Sequence, residues 1–122
     1  MMALATLVLG CAAAAWPAAA AGDAARGAQA YEARCGGCHS VQSDRIGPRH
    51  AGVLGRRAGS VDGFEYSPAL RTSSVVWNAA SLDQWLRDPE SLIPGQRMAY
   101  SLADPALRAD VIAYLASLPA RR

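Results

Sequence analysis

Lysine is absent from this chain of 122 residues, and all twelve of its basic side chains are arginines. No amine side chain is therefore on hand to ligate a metal. Twelve bases nearly balance ten acids, leaving a formal net charge of +2 and no basic block of the kind a nucleic-acid partner needs. No segment alternates apolar and polar residues convincingly enough for a strand, and none repeats another. Sulfur and imidazole are scarce as well. Past residue 21 only Cys35, Cys38, Met98, His39 and His50 remain. The fold class left by these exclusions is all-α.

A chain this long forms one domain. Its opening stretch, Met1 to Ala21, carries no charge. Leu4, Leu7, Val8 and Leu9 give it an apolar centre, and Ala18 to Ala21 ahead of Gly22-Asp23 fits a signal-peptidase site. The usual positive charges before the apolar centre are missing. Residues 1–21 are expected to be a signal peptide and 22–122 the folded domain. Two other fates use the same stretch. It could stay as a membrane anchor, which alanine, Trp16 and Pro17 make a weak one, or Val8-Leu9-Gly10-Cys11 could serve as a lipoprotein box with Cys11 lipidated. Each of the three sends the domain across a membrane. What remains is roughly 100 residues with a thin core, to which a buried cofactor would add apolar interior.

Capping residues and apolar spacing set out three main helices. Asp23 caps a helix from Ala24 to Arg34 with Gly27, Ala28 and Tyr31 on one face. Asn78 caps a second from Ala79 to Arg87, burying Leu82, Trp85 and Leu86. Asp104 caps the third, Pro105 takes its first position, and Pro119 ends it. Its expected apolar stripe is Leu107, Val111, Tyr114 or Leu115, and Leu118. Between the first two lies a loop from Ser40 to Ser67, dense in glycine, proline and arginine. Pro89 and Pro94-Gly95 are expected to break the chain again.

The first helix runs into Cys35-Gly36-Gly37-Cys38-His39. Two thiols three residues apart with a histidine directly after are the attachment pattern of a c-type haem. On a helical turn, positions i and i+3 share a face about 5–6 Å apart, so both sulfurs reach one edge of a porphyrin and the next residue brings its imidazole to the iron. Zinc would need four ligands; Cys35, Cys38, His39 and His50 could supply them, but in no usual finger spacing. A thioredoxin-like pair would sit in an alternating strand and helix pattern, whereas helix lies upstream here and a Gly/Pro loop downstream.

Elimination nominates the second axial ligand. Met1 and Met2 leave with the leader, so Met98 is the only methionine in the domain. His50 follows His39 by eleven residues, just past Gly47-Pro48, on a loop short enough to stay on the proximal side. Met98 lies far along, in Pro94-Gly95-Gln96-Arg97-Met98, where a loop between helices can cross the opposite face. Imidazole plus thioether leaves no open coordination position and favours ferrous iron. Such a centre passes single electrons and performs no bond chemistry of its own.

From Gly22 to Leu118 these residues resemble a class I cytochrome c, of the mitochondrial-type branch and its bacterial relatives. The resemblance implies a small cytochrome c fold, with three main helices, short helical turns and loops wrapped around one covalent haem. Gly27 and Tyr31 match the family's first helix where it crosses the last, and Tyr114 matches the aromatic facing them. It further implies that the Pro48 carbonyl accepts from the ligand imidazole. In Gly52-Val53-Leu54-Gly55-Arg56-Arg57-Ala58-Gly59, Arg56 would lie near a haem propionate, while Tyr66 and Trp77 would hydrogen-bond propionates. Trp85 stands where mitochondrial forms carry a tyrosine under the methionine sulfur. The loop from Ser40 to Ile46 is shorter than theirs, and their lysine ring is mostly gone. Arg26, Arg34 and Arg97 remain, but Glu90, Ser91, Asp104 and Pro105 take positions that are basic in that branch, which weakens steering towards an acidic partner.

The expectation is a periplasmic, monomeric one-electron carrier between membrane or periplasmic redox proteins. Its haem c would be held covalently through Cys35 and Cys38 and ligated by His39 and Met98. An alternative is a haem-bearing subunit of a dehydrogenase or sulfur-oxidising complex; another is a gas or redox sensor in which the Met98 bond breaks.

Overall fold

In the computed structural model, which describes residues 21–120, three side chains start the three longer helices. The Asp23 carboxylate accepts from the Arg26 N–H at 2.8 Å and opens α1 (Ala24–Arg34). Two short helices are α2 (Pro68–Arg71) and α4 (Pro89–Leu92), with α3 (Ala79–Arg87) between them. At the head of α3, the Asn78 amide accepts from the Ser81 N–H while the Ser81 hydroxyl accepts from the Asn78 N–H, both at 2.9 Å. Asp104 accepts from the Ala106 N–H at 2.9 Å and opens α5 (Pro105–Ser117). Each cap satisfies N–H groups that the helix itself leaves without a partner, an effect of about 1 kcal/mol. The expected signal peptide, 1–21, lies outside the described residues except for Ala21. No helix among the described residues is long and apolar enough to cross a membrane.

Two expectations are corrected. Pro89 does end α3, but it does not leave the chain irregular: it takes the first position of α4, where a missing N–H costs nothing. The buried stripe of α5 is Arg108, Val111, Ile112 and Leu115: Val111 and Leu115 are as expected, Arg108 and Ile112 are added, and Leu107, Tyr114 and Leu118 are half-buried against the core. Arg108 is the polar member of that stripe. Its Nε donates to Asp83 of α3 at 2.8 Å, and its Nη1 donates to the carbonyls of Leu102 and Ala103 at 2.8 and 3.0 Å. A guanidinium with this many partners is buried without penalty for unpaired donors, and it ties α3, α5 and the strand-free link between them together.

The first and last helices of the described residues meet where α1 crosses α5. At Gly27 the two backbones touch, and a Cβ there would fall on the Asp110 carbonyl oxygen. Beside the crossing, the Asp110 carboxylate accepts from the Asp23 N–H at 2.7 Å and from the Arg26 Nε at 3.1 Å. Tyr31 and Tyr114 pack across the same seam, ring centroids 5.2 Å apart. Val53, Ala58, Val61 and Tyr66 from the long loop complete the core, together with Leu70, Trp77, Leu82, Trp85, Leu86 and Val111. An isolated antiparallel bridge joins Arg57 to Val76; no longer strand pairing occurs among the described residues.

The Asp110 carboxyl is held below the usual aspartate range, first by its hydrogen bond from Arg26 and then by the Asp23 N–H. A carboxyl depressed in this way stabilises the fold above its unfolded pKa and loses that contribution as pH falls through the folded one. Thermal stability should therefore decline below about pH 4, the unfolded aspartate value. Asp110→Asn should lower the melting temperature at neutral pH and flatten the acid limb; melting curves with the wild-type pH profile would show that the crossing does not rely on this carboxylate.

Candidate haem-binding site

Helix α1 ends by presenting two thiols. Cys35 is its C-cap, with its N–H donating to the Tyr31 carbonyl at 2.7 Å. The Cys35 carbonyl in turn accepts from the N–H groups of Cys38 at 3.1 Å and His39 at 2.9 Å, so the chain stays wound for one further turn. Neither cysteine is in a disulfide. Burial, with Cys38 nearby, pushes the Cys35 thiol up to about 11. A thiol held protonated is the reverse of the low-pKa nucleophile that a redox pair needs. From the loop that follows, the Arg45 guanidinium donates to the carbonyls of Gly36, Gly37 and His39 and braces the turn.

The imidazole of His39 is aimed by the turn at Gly47-Pro48. Its Nδ1 donates to the Pro48 carbonyl at 2.9 Å, which fixes the tautomer and leaves Nε2 with a free lone pair. Gly47 stands directly beneath the ring, where a Cβ would collide with Cε1 and Nδ1. Burial pulls the His39 pKa down, opposed by the Pro48 hydrogen bond. Burial thus favours the neutral ring, the form a metal takes.

All nine residues nominated from the sequence line one cavity of about 480 Å³: Cys35, Cys38, His39, Pro48, Arg56, Tyr66, Trp77, Trp85 and Met98. That volume is in the range of cofactor sites. Met98 comes from the link between α4 and α5, Trp85 from α3, and Trp77 from the segment just before it. The two indoles pack at 5.3 Å, tilted by 57°. Trp77 is set by the bridge, its N–H donating to the Arg56 carbonyl at 2.9 Å and its carbonyl accepting from the Gly55 N–H at 2.7 Å. Arg56 donates to the carbonyls of Ala51 and Arg49 at 3.2 and 2.9 Å, and keeps further N–H groups for another acceptor. The Tyr66 hydroxyl accepts from the Val61 N–H at 3.1 Å, so its own proton is free to be donated.

The zinc alternative does not assemble. Among the described residues no three or more His, Cys, Asp or Glu side chains gather to hold a metal ion. The donor set instead fits haem: two unbridged thiols on one turn, a neutral imidazole with a free nitrogen, a thioether, and an apolar chamber. A profile of the Cytochrome c family matches residues 24–119. The chain belongs to the cytochrome c family. It is similar to cytochrome c2 of Rhodomicrobium vannielii, at 41% identity over 102 residues covering 80% of this chain and 81% of that one. It is similar also to cytochrome c of Gibberella zeae, at 40% over 100 residues, or 79% of this chain and 94% of that one. Among solved structures, cytochrome cH from Methylobacterium extorquens matches with a TM-score of 0.75 and 41% identity, covering 79% of this chain and 99% of that one. As a class I monohaem cytochrome c, the protein is an electron carrier rather than an enzyme, with haem c attached through Cys35 and Cys38.

Sequence reasoning passed over three residues that shape this cytochrome's site: Arg45, Gly47 beyond its place in a turn, and His50 beyond its rejection as a ligand. Only Gly47 carried a signal, since a glycine ahead of a proline that faces the His39 ring suggests a close approach. Gly47→Ala should force the imidazole or the turn to move. The haem protein is expected to lose about 1–3 kcal/mol of stability, typical of overpacking, and to shift its midpoint potential. Both quantities are readable by denaturant titration and redox titration, and a potential and stability equal to wild type would refute the close approach.

Proposed function

We propose that this cytochrome c is a periplasmic one-electron carrier whose haem iron is ligated by His39 and Met98. The observation that carries the assignment is that His39 and Met98, from segments far apart in the sequence, line the same cavity as the two attachment cysteines. When bound, the haem supplies a ferric/ferrous couple that takes up and returns one electron. The protein's part is to hold that group still. Cys35 and Cys38 tether it, the Pro48 carbonyl makes the His39 imidazole more basic, and the Met98 thioether favours the ferrous state. Arg56, with N–H groups to spare, and Tyr66, with a free hydroxyl proton, serve the propionates. Trp77 shares that task, and Trp85, which lines the same cavity, supports the Met98 sulfur.

The rim of the cavity suggests the kind of partner. Arg34 and Arg97 are exposed beside it, Ile46 is 78% exposed, and Glu90 lies nearby in sequence on α4. Mixed charge around an apolar centre favours brief docking on redox proteins without strong long-range steering. Export rests on the composition of residues 1–21, and cleavage after Ala21 would spare the Asp23 cap.

Met98→Ala should abolish the sulfur-to-iron charge-transfer band of the ferric protein and lower its midpoint potential, while the colour stays bound to the polypeptide. A wild-type protein without that band would overturn the ligand assignment. For export, N-terminal sequencing of the periplasmic fraction should begin Gly22-Asp23-Ala24; recovery only in membranes with residues 1–21 intact would overturn release.

A further inference from the structure

His50 has no task in the site as described so far, yet it is placed against the residue that matters most. Its ring lies flat on that of His39, with centroids 4.1 Å apart and planes 23° from parallel. Its Nδ1 shares a 2.9 Å hydrogen bond with the Tyr31 hydroxyl of α1. Tyr31 meets His50 edge-on at 5.6 Å and is itself held by Tyr114 of α5. A chain of contacts therefore runs from the crossing of the first and last helices to the face of the His39 imidazole.

The contact from Pro48 cannot do this alone. A hydrogen bond at Nδ1 fixes one ring atom, but the ring remains free to tilt about the line of that bond. A second flat ring against its face removes that freedom, because any tilt drives one edge into the neighbour. Leucine or valine in the same space would fill volume without offering a plane.

We propose that Tyr31 and His50 form a positioning pair: the Tyr31 hydroxyl holds His50, and the face of His50 sets the plane of the His39 imidazole. The proposal rests on His39 being an iron ligand. It predicts that the pair governs ligand orientation, and through it the electronic asymmetry of the ferric haem, rather than filling space alone.

The test uses the haem-loaded protein and the proton NMR spectrum of its ferric form, in which the spread and order of the haem methyl resonances follow the orientation of the axial ligand planes. His50→Leu removes both face and hydrogen bond, Tyr31→Phe removes only the hydroxyl, and His50→Phe keeps a face. The methyl pattern should shift most in His50→Leu, less in Tyr31→Phe, and least in His50→Phe. Lower melting temperatures with the wild-type methyl pattern in both His50→Leu and Tyr31→Phe would mean that the pair only packs, and would overturn the proposal. Should His50→Leu fail to accumulate as haem protein, Tyr31→Phe decides: a shifted pattern supports the pair and an unchanged one refutes it. His39→Ala separates this question from the one beneath it, since a low-spin ferric spectrum unaltered by that change would remove His39 as ligand whatever His50 does.

Discussion

The approach of α1 to α5 at Gly27 is the contact from which the rest of this cytochrome hangs. With no side chain between them, the backbones touch, and the Asp110 carboxylate gathers the Asp23 N–H and the Arg26 guanidinium at that point. Residues near the two ends of the domain are thereby closed on each other before any cofactor is considered. Everything that lines the cavity is mounted on that closure: the attachment turn continues from α1, Val111 and Leu115 of α5 supply one wall, and α3 is tied to α5 through Arg108. A side chain at position 27 would prise the ends apart and move the two cysteines relative to the Met98 link.

The interior built on this closure is unusual in how little of it is helix against helix. The segment between α1 and α2 has no regular structure over more than twenty residues, yet it buries Val53, Ala58 and Val61. Loops of that length are uncommon in small domains without a functional reason. Here the reason is geometric, since an irregular chain bends around a flat group where a straight helix would not. The loop is kept in shape by hydrogen bonds to its own carbonyls and by the short bridge to Val76, which also sets Trp77. Site and core are consequently one object.

How much of this was legible in the sequence follows from which features are local. Asp23, Asn78 and Asp104 fix helix starts through contacts within four residues, so α1, α3 and α5 could be located from spacing alone. The nine residues around the cavity were reachable because the attachment motif is specific and the family resemblance carried the others. Val111 and Leu115 of the buried face of α5 were reachable from spacing, but Arg108 was not, because an arginine reads as a surface residue until Asp83 and two carbonyls are seen around it. Pro89 reads as a break because the sequence does not show that the preceding residue, Asp88, turns the chain into a new helix. His50 was weighed only as a competing ligand; its stacking on His39 depends on Tyr31 arriving from nineteen residues upstream. Errors of this kind come from long-range partners, which periodicity does not encode.

A last consequence concerns the guanidinium groups. Arg45, Arg56, Arg57 and Arg108 each donate to peptide oxygens, Arg56 and Arg108 from inside the fold and Arg45 and Arg57 along its surface: Gly36 and Gly37, Ala51 and Arg49, Ser73, Leu102. An ammonium is a compact point donor and is less suited to spanning such pairs, so these four arginines serve as stitching between backbone segments. A peptide oxygen cancels no charge, so these arginines cross-link loop carbonyls while keeping their contribution to the field that an approaching redox protein would sense; of the four, only Arg108 is paired with a carboxylate.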